Sequence, residues 1–236
     1  MPAKEAHRIV MRNGRELLYF LSNKNLKSEL LIKKANSHDF ITDANRVIFN
    51  FCASMRTFVD HAMTAVKRKG EAESFKRFVS QIFDESKEYR FFDKLRNFII
   101  HYSYPFTGLK MEVPDLVKIV CPKEHLLGFN KWGTIVKKDL ASMPEEIDVR
   151  QYIEPLLIRL ESIYLMIYYY YAQDYCKAST TFANFQKKYY LKEPSTLTME
   201  GGIDGKKTIH PLPLVAIAEG IEELKHNPHI ILNFTD

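Results

Sequence analysis

Residues Phe91 to Pro105 read FFDKLRNFIIHYSYP, and the order of apolar and polar side chains in this stretch decides the fold. At about 100° per residue, Phe91, Phe92, Leu95, Phe98, Ile99 and Tyr102 gather on one arc wide enough to face a core. Asp93, Lys94, Arg90, Asn97 and His101 gather on the other, with Ile100 as its one apolar member. Asn97 and His101, four apart, are neighbours there. Arg96 stands at the edge of that arc, with a side chain long enough to reach the same point. Pro105 closes the pattern. The spacing predicts an amphipathic helix whose polar face carries a guanidinium, an amide and an imidazole.

The same period extends upstream. Ala44, Val47, Ile48, Phe51, Met55, Phe58, Val59, Ala62 and Val66 recur at helical spacing in a stretch that starts at Ser37. Lys67, Arg68, Lys69 and Gly70 close it with positive charge and a glycine stop. A second helical stretch runs from Glu71 to about Tyr102 with a break near Ser86. The short joint at Gly70 makes the two an antiparallel hairpin. A third helix is expected from about Asp148 to Cys176. Along it Tyr164, Tyr168, Tyr171 and Tyr175 line one side, either as ordinary packing or as a dimer or base-stacking face.

Residues 105–147 lose the period. Their prolines (105, 114, 122, 144) and glycines (108, 128, 133) indicate loops and short strands such as Trp132 to Val136. The fold class that follows is mainly all-α: a helical bundle with a long antiparallel hairpin, irregular loops and short β-hairpins. Residues 1–36 read as an N-terminal extension, in which Arg12-Asn13-Gly14-Arg15 is a hairpin turn or a break between helices. A helical domain over 37–180 carries the insertion at 105–147. Residues 181–236 form a C-terminal extension, with a helix over Leu214 to Lys225.

With 236 residues, 46% of them hydrophobic and 13% aromatic, the chain is globular rather than disordered. A net charge of +5 and a pI of about 8.9 favour anionic partners. Cys52, Cys121 and Cys176 are far apart and form no paired motif, which points to a reducing, cytoplasmic setting. No apolar run follows the N-terminal Met-Pro-Ala-Lys, so no signal peptide is expected. The apolar stretch from Ile153 to Tyr171 has the length of a membrane span, but Glu154, Arg159 and Glu161 interrupt it, so no membrane is expected.

Arg96 keeps its charge at every relevant pH, and His101 changes its charge near neutrality. That pair suits chemistry on a phosphodiester, where one group holds developing negative charge and the other moves protons. Asn97 would orient His101 or a phosphate oxygen, and Arg90 and Lys94 would add cations to hold RNA. The bare spacing is cheap, because Arg56 to His61 repeats it; that copy lies within a longer helix and reads as a solvated face. Gly201 to Thr208 imitates a phosphate loop, but Lys207 stands where Ser or Thr belongs, so a turn between short strands is expected. Cys121 with His125, and His226 with His229, lack a second pair, so neither a metal nor another cofactor is expected.

An apolar helix bearing Leu-Arg-Asn, three apolar residues and His, then stopping near a Pro, resembles the HEPN superfamily. Domains of that superfamily are all-helical and carry an Arg, usually a following polar residue, and a His after four to six residues. Arg96, Asn97 and His101 match that motif one by one, and the resemblance covers about 35 to 180. It implies an HEPN-like bundle, a metal-independent endoribonuclease site of Arg96, Asn97 and His101 at a homodimer interface, and a toxin or antiphage role with an antitoxin or regulatory protein as partner. One departure is Ser103, where the HepT-like toxins of the superfamily carry Tyr. Some members are inactive, which leaves a second reading open: a module that grips an RNA phosphate, a nucleotide or an acidic protein without turnover.

Overall fold

The computed structural model describes residues 2–32, 35–112, 116–189, 198–201, 208–211, 214–228 and 230, and these are mainly helical. The chain divides into two compact units, residues 1–164 and 165–236.

The first unit opens with α1 (Pro2–Phe20), a single helix through Arg12 to Arg15 rather than a turn. Gly14 is there for closeness, not for bending. A Cβ on it would stand 2.6 Å from Cδ2 of Leu157 and 2.9 Å from Cε2 of Phe51. A short α2 (Asn23–Lys27) and a π-helical turn (Ser28–Ile32) lead to α3 (Ser37–Lys67). Asn36 caps α3, accepting from the N–H groups of His38 and Asp39 at 2.8 and 3.4 Å. Gly70, at φ +80°, turns the chain into α4 (Ala72–Glu85). Ser86 then ends α4 and starts α5 (Lys87–His101), its hydroxyl oxygen accepting from Tyr89 N–H at 3.1 Å.

The expected hairpin has the expected direction. His7 of α1 lies by Phe58 of α3, and Asn13 by Asn50, so α1 and α3 run antiparallel. Phe51 of α3 meets Phe92 of α5 edge-on, while Asn45 bonds Phe106 just past the end of α5, so α3 and α5 do too. Phe51, Phe58, Phe91, Phe92, Leu95 and Phe98 of α3 and α5 are fully buried, and burying side chains of this kind is the main source of the unit's stability.

After α5 the chain forms β1 (Gly108–Glu112), paired antiparallel with β2 (Leu116–Val120), then α6 (Lys123–Leu127) and α7 (Thr134–Ala141). Val117 joins Leu26 and Phe40 in a small second core under this hairpin. The strand expected over Trp132 to Val136 is instead the entry to α7. Gly133 takes φ +79°, and Val136 and Leu140, four apart, bury one face of a helix. Trp132 stacks on Phe98 at 5.6 Å and donates from Nε1 to the Leu126 carbonyl at 2.6 Å. A 3-10 turn (Val149–Tyr152) opens α8 (Ile153–Tyr189), longer than the expected third helix. Within the first unit, Leu157 of α8 packs against α1 and α3, and Tyr164 stacks on His7 at 3.9 Å.

The second unit holds the rest of α8, the antiparallel pair β3 (Thr198–Gly201) and β4 (Thr208–Pro211), and α9 (Leu214–Lys225). The turn expected between two short strands is flanked by such strands, though 202–207 lie outside the described residues, as does His229. Tyr168 is buried and stacks on Tyr175 at 5.6 Å, so part of the tyrosine row is packing. No helix among the described residues is long and apolar enough to cross a membrane.

Candidate functional site

The motif occupies the last turn and a half of α5. Of the polar arc, Asp93, Lys94, Arg96 and Asn97 are half-buried, and Ile100 and His101 are exposed. His101 is the final residue of the helix, with Tyr102 as its C-cap. A protonated imidazole there faces the negative end of the helix dipole. Among the described residues, neither the Arg96 guanidinium nor the Asn97 amide is held in a hydrogen bond or ion pair.

Arg96 lies along the seam between α3 and α5, in a crevice of about 10 Å³ lined by Cys52, Met55, Arg56, Val59, Tyr89 and Asp93. That volume admits no ligand, so anything bound by Arg96 would lie over the seam and not inside it. Burial pushes the Cys52 thiol well up from its ordinary range, and the Arg96 charge pulls it back only in part. The Tyr89 phenol is likewise raised, by burial first and then by Asp93.

The two cations expected to assist have different fates. Lys94 stays half-exposed, 3.1 Å from Asp93 and 5.6 Å above the Phe83 ring. Arg90 is not on the polar surface. It is buried, its Nε 2.8 Å from Asp139 and its Nη1 donating to the carbonyls of Phe83 and Asp84 at 2.8 and 2.5 Å. The cause is α7, which covers this part of the arc and brings Asp139. Arg90 thus closes the C-terminal carbonyls of α4 and ties the insertion to α5, so its guanidinium is not available to RNA.

The Arg56 to His61 repeat is a solvated face, as expected: both side chains are exposed, and His61 lies in the groove beside α1, away from the α5 seam. Yet Arg56 lies in the same crevice as Arg96, its guanidinium forked onto Asp60 at 3.1 Å through both Nε and Nη2. Asn45, Cys52 and Arg56 repeat at seven and four on α3. That stripe, turned towards an antiparallel α5, is the signal that finds Arg56.

The rim around His101 is apolar for a surface. Ile100 is 44%, Tyr102 53% and Tyr104 55% exposed. Tyr102 is nevertheless fixed, its ring against Phe98 and Phe129 at 5.4 and 5.8 Å. Among the described residues, no group of three His, Cys, Asp or Glu side chains is placed to hold a metal ion.

No family model, curated protein or solved structure matches the chain.

Proposed function

We propose that the protein is a metal-independent endoribonuclease of the HEPN kind, with Arg96, Asn97 and His101 as its site. The observation that carries this reading is the contrast on one helix. Arg90 is consumed by structure, whereas among the described residues Arg96, Asn97 and His101 keep their polar groups uncommitted at the open end of α5.

In this reading the ribose 2′-hydroxyl attacks the adjacent phosphorus. A neutral His101 takes the hydroxyl proton, and Arg96 holds the charge on the pentacoordinate phosphorus. A protonated His101 from a second copy delivers a proton to the departing 5′-oxygen. The products are a 2′,3′-cyclic phosphate and a 5′-hydroxyl. One Arg and one His per chain are few for two proton transfers. The exposed Ile100, Tyr102 and Tyr104 offer a face on which a homodimer closes. A toxin or antiphage role in the cytoplasm, with an antitoxin or regulatory partner, belongs to the same proposal.

A second reading, RNA or nucleotide binding without turnover, is favoured by one observation: Arg96 is half-buried in the seam and so less free to follow a transition state. Incubating the purified chain with single-stranded RNA in EDTA separates the two. Cleavage to 2′,3′-cyclic phosphate ends supports the first; retention of intact RNA supports the second. Metal-dependent cleavage to 3′-hydroxyl ends overturns the mechanism.

A further inference from the structure

The edge of β2 turned away from β1 is filled at both ends and open in the middle. Val117 N–H donates to Asn23 Oδ1 at 3.3 Å, so Val117 faces away from β1. Cys121 C=O accepts from Ile147 N–H at 2.9 Å on the same side. Antiparallel pairing alternates, so Ile119, between them, turns both its N–H and its C=O to that edge as well.

A third strand begins there and stops. Lys123 N–H donates to Glu145 C=O at 2.8 Å, and Pro122 bridges Glu146 antiparallel. Continued, this ladder would bring Val149 opposite Ile119. Instead Asp148 accepts from Arg150 N–H at 3.1 Å and starts the 3-10 turn. Ile119's N–H and C=O, unpartnered among the described residues, face a cleft of about 190 Å³. Its walls include Leu21, Leu26, Phe106 and Val149, and Lys118 and Arg150 stand among its polar lining. Two acids line it as well: Glu146 is held by Lys110 at 2.9 and 3.0 Å, and Asp148 accepts from the Arg150 N–H at 3.1 Å.

We propose that this cleft binds the base of a nucleotide, with the base edge paired to Ile119 and the phosphate met by Arg150. An N–H and a C=O side by side complement the adjacent acceptor and donor that each of the four bases carries. Apolar walls suit a flat ring. Asn23 and Ile147 plug the two ends, which bars an extended peptide from running through as a strand. The volume is below the roughly 300–1,000 Å³ of pockets for drug-sized ligands, and suits one small ring system. The Arg150 guanidinium is uncommitted among the described residues. The inference is independent of the Arg96–His101 reading.

The test is calorimetric titration of the full chain with AMP, GMP, CMP and UMP, with ribose 5-phosphate as the base-free control and a short oligoribonucleotide as the polymeric source. Saturable micromolar-to-millimolar binding of at least one mononucleotide, absent for ribose 5-phosphate, is expected. Arg150→Ala should weaken a nucleotide and leave its nucleoside unchanged. Ile119→Pro removes a donor that points away from the β1–β2 ladder, where proline is tolerated, and should cost about tenfold in affinity. Leu21→Trp fills the cleft and should abolish binding, which keeps the test decisive if the proline variant does not fold. Binding of the oligomer alone, lost in Leu21→Trp, assigns the base to RNA rather than to a free nucleotide. No binding of any of these ligands overturns the proposal, as does binding unchanged in Leu21→Trp or equal for ribose 5-phosphate. Cleavage assays on His101 variants leave this outcome untouched, so the two readings fail separately.

Discussion

Asn45 grips the backbone of Phe106 with both ends of its amide: Nδ2 donates to the Phe106 carbonyl at 2.9 Å, and Oδ1 accepts from its N–H at 3.1 Å. The side chain does for one residue what a neighbouring strand would do. It fixes where the chain goes after α5, and so anchors the segment that follows His101. Asn45→Ala leaves a buried N–H and C=O without partners, and should cost about 2–4 kcal/mol. Thermal unfolding measures it, and a loss under about 0.5 kcal/mol, the low end for a single hydrogen bond, speaks against the clamp.

Arg90 and Arg96 lie less than two turns apart on α5 yet should behave as opposites. Arg90→Ala strands Asp139 and the end of α4, and should cost about 3–5 kcal/mol, as breaking a buried pair does. Arg96→Ala should leave the urea midpoint within experimental error and remove RNA cleavage. Equal stability losses in the two variants would place Arg96 in the structure and not in the chemistry.

His101→Ala should abolish cleavage without unfolding the chain, because its ring is exposed. Arg96→Lys should not restore activity where two guanidinium bonds hold the phosphate. His61→Ala should retain full activity. RNA with 2′-deoxy substitution at the cut site should resist cleavage. Full activity in the His101 variant removes the site from consideration.

Gly14→Ala pits two effects against each other. Helix propensity gains about 1 kcal/mol, but the new methyl meets Leu157 and the fully buried Phe51, and overpacking costs about 1–3 kcal/mol. The ring cannot retreat as Leu157 can, so net destabilisation is expected. A rise in Tm would show that the crossing of α1, α3 and α8 has slack.

The cysteines set a pH dependence. Burial pushes the Cys121 thiol up from 9.0 to about 12, and raises Cys52 as well. A thiol raised in the folded state adds stability that is complete below pH 9, the unfolded value, and is lost as pH climbs towards the folded one. Stability should therefore fall between pH 9 and about 12. A thiol reagent at pH 8 should label half-buried Cys176 first, leaving Cys52 and Cys121 until the protein unfolds. Rapid labelling of Cys52 in the native protein contradicts its seat under Arg96.

The helices were legible because their apolar residues repeat at the helical period over many turns, and Ser86 was legible as a capping residue between two such runs. Gly14 was not. In sequence it resembles any Asn-Gly turn, and only the approach of Phe51 and Leu157 explains it. The candidate site was half legible. Periodicity put Asn97 and His101 on the outer face, but Arg90 depends on an acid that arrives from α7. Arg56 depends on the register of α3 against α5, which a wheel drawn for one helix does not contain. The expected strand at Trp132 failed because β-branched residues express a preference that packing on α5 overrides.

Trp132 is the chain's one tryptophan, and it lies sealed against Phe98, on the inner face of the helix that carries Arg96 and His101. Excitation at the red edge of protein absorbance therefore reports from a single dry location. Its emission should be blue-shifted at rest. Loosening of the insertion from the motif helix should turn it redder and open it to quenching by acrylamide. The molecule carries its own optical gauge of the joint that RNA binding or a second copy would load, and no dye need be attached to read it.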